Sequence, residues 1–401
     1  MPPSRSALDS FHPRTRSVHA GKGFDVGSAM PTAAPIHVAT AYSYESTEEL
    51  DAVFADNSVG YVYSRYGNPT VRAFEHAIAA VEKTEEAIAY GSGMAAIHAA
   101  IVSVTASGAH VLASQDLYGA THALLRSMAT RNGIETTFVD ILDLDMVRRR
   151  AVETKPAVII AETISNPLIR VTDIPAIAAI ADEVGAVSII DNTFASPVIV
   201  QPATLGADLV VHSTTKFIGG HGDTTGGVIA TSGKHASTLR EQAKLLGALA
   251  SPFDAWLALR GLKTMHLRVR QQSENARAIA EWMHADPRID RVNYPCPATG
   301  QVPDIFVSEE RGGLLSFEIR AASRDGVFRF QDSLTLCVPA TTLGDVYSLV
   351  LYPAMSSHRA LSRDERHAIG IKDNLVRLSA GIEDYEDIRN DIDRALAVAT
   401  A

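Results

Sequence analysis

Cysteine is scarce in this chain: Cys296 and Cys337 are the only two thiols in 401 residues. Two cysteines without metal-ligand spacing exclude a disulfide framework and a cysteine-rich zinc site, so both read as buried or incidental thiols. Basic charge is also in deficit. With 36 Lys and Arg against 46 Asp and Glu the net charge is −10, which offers no basic surface to displace counterions from nucleic acid. No stretch reaches the roughly 18 apolar residues that cross a bilayer. The basic residues Arg5, Arg14 and Arg16 are not followed by an apolar signal core. The expectation is a soluble, cytoplasmic protein with neither nucleic acid nor membrane as a partner. Internal repeats, heptads and low-complexity tracts are missing, and the 27 Gly and 18 Pro are dispersed, which argues against a solenoid.

What is present is a large apolar inventory, 46% of residues with 20% charged, enough for one large domain and a smaller second one. Residues 1–62 are rich in turn formers and aromatics without sustained periodicity and read as an N-terminal arm. Residues 63–262 alternate apolar runs at 87–90, 110–113, 157–162, 187–191 and 209–211 with helical segments such as 94–104 and 173–184. That alternation predicts an α/β domain, a mostly parallel sheet with helices on both faces and ligands at the carboxyl ends of its strands. Residues 263–401 open with a long helical stretch, carry strand patterns at 314–319 and 376–379, and close on an amphipathic helix over 384–398. They read as a smaller C-terminal α/β domain.

The strongest local signal is DLVVHSTTKFIGGHG, Asp208 to Gly222. A buried strand ends in hydroxyl residues, then a lysine, then a glycine-rich turn. Burial disfavours the charged form of a lysine, and a Schiff-base lysine exploits that penalty. A surface lysine after a strand is the competing reading. Ser213 and Thr215 can donate hydroxyl hydrogen bonds to a phosphate beside Lys216. One strand unit earlier, VSIIDNT delivers Asp191 at the end of an apolar strand, where a carboxylate needs a cationic partner or serves as a turn cap. YGSGMAA, Tyr90 to Ala96, is a strand followed by small residues that open a helix; the amides of Gly93 and Met94 there can cradle an anion. Glycine-rich turns with no ligand share this pattern. Tyr118 in DLYGATH can stack on a ring or pack in the core. His212 and His221 flank the lysine without metal spacing and read as loop packing.

With these pieces in one order, the chain resembles the Cys/Met-metabolism enzymes dependent on pyridoxal 5'-phosphate (PLP). That family includes cystathionine gamma-synthase, cystathionine gamma-lyase, methionine gamma-lyase and the O-acylhomoserine sulfhydrylases. The likeness runs from SVHAGK (Ser17 to Lys22) through YSRYGNPT, GSGMAA, LYGAT, ETISNP, DNTFASP and HSTTKFIGGHGD to LVRLSAGIED, Leu375 to Asp384. It implies the aspartate-aminotransferase-like fold type I of PLP-dependent transferases. It also implies that Lys216 carries the cofactor, that Asp191 pairs with its ring nitrogen and that Tyr118 stacks on the ring. Gly93, Met94, Ser213 and Thr215 would hold the phosphate, reached by Tyr63 and Arg65 of a neighbouring subunit. Arg377 and Asn166, with Thr342 close by, would bind an amino-acid substrate, whose carboxylate suits the guanidinium fork. A homotetramer built from two catalytic dimers is the implied assembly.

Cystathionine-handling members tend to carry charge around the distal end of the substrate, at positions that align with Val62, Ala123 and Tyr347. None is charged here. Loss of charged partners at all three disfavours cystathionine's remote zwitterion, since each charged hydrogen bond supplies roughly 1.5–3 kcal/mol. The expectation is gamma-elimination on methionine or homocysteine, releasing 2-oxobutanoate, ammonia and a thiol. Gamma-replacement on an O-acylhomoserine, as by a sulfhydrylase or cystathionine gamma-synthase, is the alternative. A cystathionine gamma-lyase ranks below both, and a non-catalytic PLP-binding protein last.

Overall fold

The computed structural model describes residues 11–20, 31–295, 302–359 and 361–399; Arg5, Lys22 and Cys296 lie outside them. Its larger sheet has seven strands: β1 (Glu86–Tyr90), β2 (His110–Ser114), β3 (Glu135–Val139), β4 (Val158–Glu162), β5 (Val187–Asp191), β6 (Leu209–Ser213) and β7 (Gly227–Thr231). Their spatial order is β1-β7-β6-β5-β4-β2-β3. Strands β3, β2, β4, β5 and β6 run parallel, while β7 is antiparallel to both β6 and β1. VIIAE in β4 and LVVH in β6 are buried throughout, as strands sandwiched between two helical layers must be.

Two apolar cores flank the sheet. One gathers Ile97, Ile101, Ile160, Ile189 and Val211 beneath the helix α2 (Gly93–Val104). The other gathers Phe74, Ile78, Ile159, Ile190 and Val210 beneath α1 (Pro69–Glu82). Successive strand residues point to opposite faces, so Ile189 and Ile190 enter different cores. Local chemistry sets the helix ends. Asn68 caps α1 by accepting from the amides of Thr70 and Val71, with Pro69 in the first turn. Ser92 Oγ accepts the Ala95 amide at the start of α2.

A five-stranded sheet follows, ordered β10-β11-β12-β9-β8: β8 (Ile289–Asn293), β9 (Leu314–Ile319), β10 (Val338–Pro339), β11 (Leu349–Leu351) and β12 (Leu375–Ser379). It has its own core, including Leu315, Phe317, Phe330, Val376 and Ile392. The helix α3 (Met265–Ala285) packs on this sheet, and the C-terminal helix Tyr385–Ala399 adds Ile388, Ile392 and Leu396 to the same core. Cys337 is buried there, and burial pushes its thiol pKa up. The N-terminal arm holds the short helices Pro13–His19 and Thr47–Phe54 and a bridge from Ala41 to Tyr63. Among the described residues no helix is long and apolar enough to cross a membrane.

Candidate active site

The carboxyl ends of β4, β5 and β6 deliver the first polar groups. In the parallel register Glu162 lies beside Asp191, and Asp191 beside Val211, so all three share the α2 face of the sheet. Asp191 Oδ1 accepts the Thr193 amide at 3.0 Å. Beyond β6 the chain turns sharply: the amide of Gly219 donates to Thr214 O and that of Gly220 to Lys216 O, both at 2.8 Å. This turn projects Lys216 into a cavity of about 520 Å³, a size suited to a small ligand. The Lys216 amine donates to Thr342 Oγ1 at 2.8 Å. Burial, and then the charge of Arg377, lower its pKa to about 8.

Gly93, Met94, Ser213 and Thr215 line the same cavity. A Cβ on Gly93 would come within 2.8 Å of Ser213 Cβ, so only glycine lets the amino end of α2 close on the end of β6. Amides at a helix start and two hydroxyls thus converge, as a phosphate site requires. Tyr118 is the N-cap of the helix Gly119–Asn132. Its amide donates to Glu162 Oε1 at 2.6 Å, and its ring, 42% exposed, lines the cavity.

From the second sheet β12 contributes Arg377, only 2% exposed. Its guanidinium donates to Asn166 Oδ1 at 3.0 Å and to Thr342 O at 2.8 Å. Burial lowers its pKa to about 10, and its Nε is buried with no hydrogen-bond partner. A buried cation with spare donors is an anion receptor. Thr342 therefore touches both Lys216 and Arg377 and joins the two sheets at the site.

Other expected residues are not brought here. Val62 and Arg65 line a second cavity of about 720 Å³ along the arm, with Arg72, Glu75 and Arg240. There the Arg65 guanidinium lies over the rings of Tyr63 and Tyr66, 5.5 and 4.9 Å from their centroids. Val62, Ala123 and Tyr347, expected at the distal end of the substrate, do not line the lysine cavity of their own chain. Val62 belongs to the arm, Ala123 sits on the exposed side of its helix, and Tyr347 is 57% exposed. The cavity wall instead includes Ile97, Phe194, Thr225, Leu351, Ser356 and Ser357, none of which stood out in the sequence. Glu162 also escaped notice, although ETISNP contains it. His212 is buried, with Nε2 2.6 Å from Glu82 Oε1, and His221 bonds Gly219 O. Among the described residues no His, Cys, Asp or Glu cluster could hold a metal ion.

These groups fit a phosphorylated aldehyde cofactor. The amine loses its proton readily, a glycine-built cradle stands ready for phosphate, and the carboxyl groups of Glu162 and Asp191 line the same cavity.

Comparison with known proteins points the same way. Residues 14–397 match the family described as Cys/Met metabolism PLP-dependent enzyme. The L-methionine gamma-lyase of Fusobacterium nucleatum subsp. polymorphum is 38% identical over 387 residues, which cover 95% of this chain and 97% of that protein. The O-succinylhomoserine sulfhydrylase of Pseudomonas aeruginosa is also 38% identical, over 89% of each chain. A structure from Campylobacter jejuni, assigned as an O-acetylhomoserine (thiol)-lyase and carrying N'-pyridoxyl-lysine-5'-monophosphate, superposes with a TM-score of 0.90. It is 31% identical, covering 96% of this chain and 100% of that one.

Proposed function

Since the chain belongs to the Cys/Met-metabolism family of PLP-dependent enzymes, we propose that it eliminates the γ-substituent of methionine or homocysteine. The family makes it a PLP-dependent carbon–sulfur lyase or a related transsulfuration enzyme with PLP as its cofactor. One observation carries the finer reading. Among the described residues the charged side chains lining the lysine cavity are Glu162, Asp191, Lys216 and Arg377; the last three serve the cofactor or the α-carbon end of the substrate, and Glu162 is taken up by the Tyr118 amide. None remains for a second zwitterion, whose burial without partners costs several kcal/mol. The rest of the wall, Ile97, Phe194, Leu343 and Leu351 with Ser356 and Ser357, suits a thioether or thiol.

In this reading Lys216 would hold the cofactor, Gly93, Met94, Ser213 and Thr215 would take its phosphate, and Asp191 would pair with the ring nitrogen. When bound, the cofactor acts as an electron sink for charge developing next to the substrate's amino group. Arg377 binds the substrate carboxylate, and Asn166 holds the guanidinium in place. The Lys216 amine, its pKa lowered to about 8 by burial and Arg377, would remove the Cα proton and return it elsewhere on the substrate. Tyr118, on the cavity wall, would give a proton to the departing sulfur. The carboxylate and amine machinery is common to all α-amino acids, so the cavity wall decides the substrate.

The likeness to O-succinylhomoserine sulfhydrylase keeps gamma-replacement as the second reading. Steady-state kinetics on methionine, homocysteine, cystathionine and O-succinylhomoserine, with and without added thiol, decide between them. The expected outcome is 2-oxobutanoate from methionine or homocysteine at a higher kcat/KM than from cystathionine, without any need for thiol. A strict thiol requirement would establish replacement instead.

A further inference from the structure

The buried carboxyl of Glu162 has no part in the chemistry above, yet it stands at the end of β4 in register with Asp191. Glu162 is 7% exposed. Its Oε1 accepts the Tyr118 amide at 2.6 Å, the amide of Asn166 faces the same carboxyl, and Oε2 is buried without a hydrogen-bond partner. We propose that Glu162 is a positioning residue working as an uncharged carboxylic acid: it braces the backbone at Tyr118 and Asn166 and leaves the negative charge of the pair on Asp191.

Two adjacent carboxyl groups out of water cannot both ionise cheaply, so one keeps a proton. The surroundings select which. Burial raises the Asp191 pKa too, but Asp191 accepts the Thr193 amide at 3.0 Å, and Thr193 and then His212, reaching toward the other face of the sheet, favour its charge. Glu162 has a bare buried oxygen instead. Burial first, then Asp191, then more weakly Asp116 push its pKa well above the usual carboxylate range, against the pull of the two amides. Asp116 is itself held by Arg170 at 2.6 Å. The cations lining the cavity, Lys216 and Arg377, are spoken for by Thr342 and by Asn166 with Thr342. A neutral Glu162 leaves Asp191 as the anion available to a cationic ring nitrogen. It also ties the Tyr118 turn, on one side of the cavity, to the Asn166 turn that holds Arg377. The inference rests on the assignment of the cofactor to this cavity.

The test compares holoenzymes of the parent, Glu162→Gln and Glu162→Ala. In the unfolded chain Glu162 releases its proton near pH ~4.3, whereas the native protein keeps it to higher pH. The parent therefore loses stability through that window as pH rises, and glutamine, which cannot ionise, does not. The thermal midpoint of Glu162→Gln minus that of the parent should grow steadily as pH rises above the ~4.3 at which the unfolded chain ionises. Glutamine also keeps an acceptor for the Tyr118 amide, so it should recover roughly tenfold in kcat/KM and in cofactor affinity relative to alanine. A midpoint difference that is flat or shrinks with pH, or a glutamine variant as impaired as alanine, overturns the proposal. If alanine does not fold, the parent and glutamine pH profiles decide it alone. Borohydride labelling of a lysine other than Lys216 would refute the cavity assignment, and the midpoint profile would still report the charge on Glu162.

Discussion

A lysine amine enclosed by protein and facing a guanidinium surrenders its proton more easily than one in water, and Lys216 meets both conditions. Lys216→Ala is expected to abolish both turnover and the visible absorbance of the bound cofactor. Borohydride reduction followed by peptide mapping checks the attachment point; label on another lysine would move the site. The lowered pKa adds a pH dependence with a definite sign. Only the neutral amine can attack an aldehyde, so the rate at which apoprotein takes up cofactor should climb with pH and level off above about 8. Stopped-flow absorbance across that range measures it. At Arg377, lysine keeps the charge but loses the fork and the bonds to Asn166 and Thr342. Arg377→Lys should raise KM for every amino-acid substrate by roughly tenfold or more, in line with 1.5–3 kcal/mol per charged hydrogen bond.

The elements around the lysine are held by one buried cation. Arg268, on α3, is 4% exposed and donates to the carbonyls of Phe217 at 2.9 Å and Gly261 at 2.7 Å, with a longer bond to Ile218. It thereby ties the long helix to the turn that follows Lys216. The fit is close at Gly220, φ +70°, where an added Cβ would fall 1.9 Å from the guanidinium. Arg268→Met keeps the stem but strands these carbonyls, so it should cost about 3 kcal/mol or more. Denaturant unfolding gives the stability loss, and weaker cofactor retention should accompany it. Legibility in the sequence also varied by element. The central strands β4, β5 and β6 are near-continuous apolar runs and could be read directly. Strands β3 and β8 lie at sheet edges, where ETTFV and IDRVN keep exposed or half-exposed positions, so no strong run marks them. Strand β7 is central, but it begins at Gly227 after a glycine-rich loop, and its antiparallel direction is a matter of chain path that local composition does not encode.

At the scale of the whole molecule, Tyr63 and Arg65 follow directly on the arm and line no part of the lysine cavity in their own chain, which supports the proposal that they serve a neighbouring subunit. Mixing Arg65→Ala with Lys216→Ala protein should then restore activity, to roughly a quarter of the parent's for random pairing in a two-fold dimer, since one site in a hybrid is intact. Absence of recovery despite demonstrated subunit exchange would leave Arg65 without that role. The ordered motifs determined the family, the cofactor and the α/β class by themselves, because a strand, its hydroxyl-rich end, a lysine and a glycine turn are contiguous in the chain and their chemistry is local. What faces what was decided only by the tertiary structure. Arg377 reaches Asn166 across 211 positions and Thr342 links it to Lys216. Glu162 meets Asp191 through strand register, and Ile97, Phe194 and Leu351 come together in the cavity wall. Pocket walls and shared protons depend on distances between elements remote in sequence, and those are set by how the two sheets pack together.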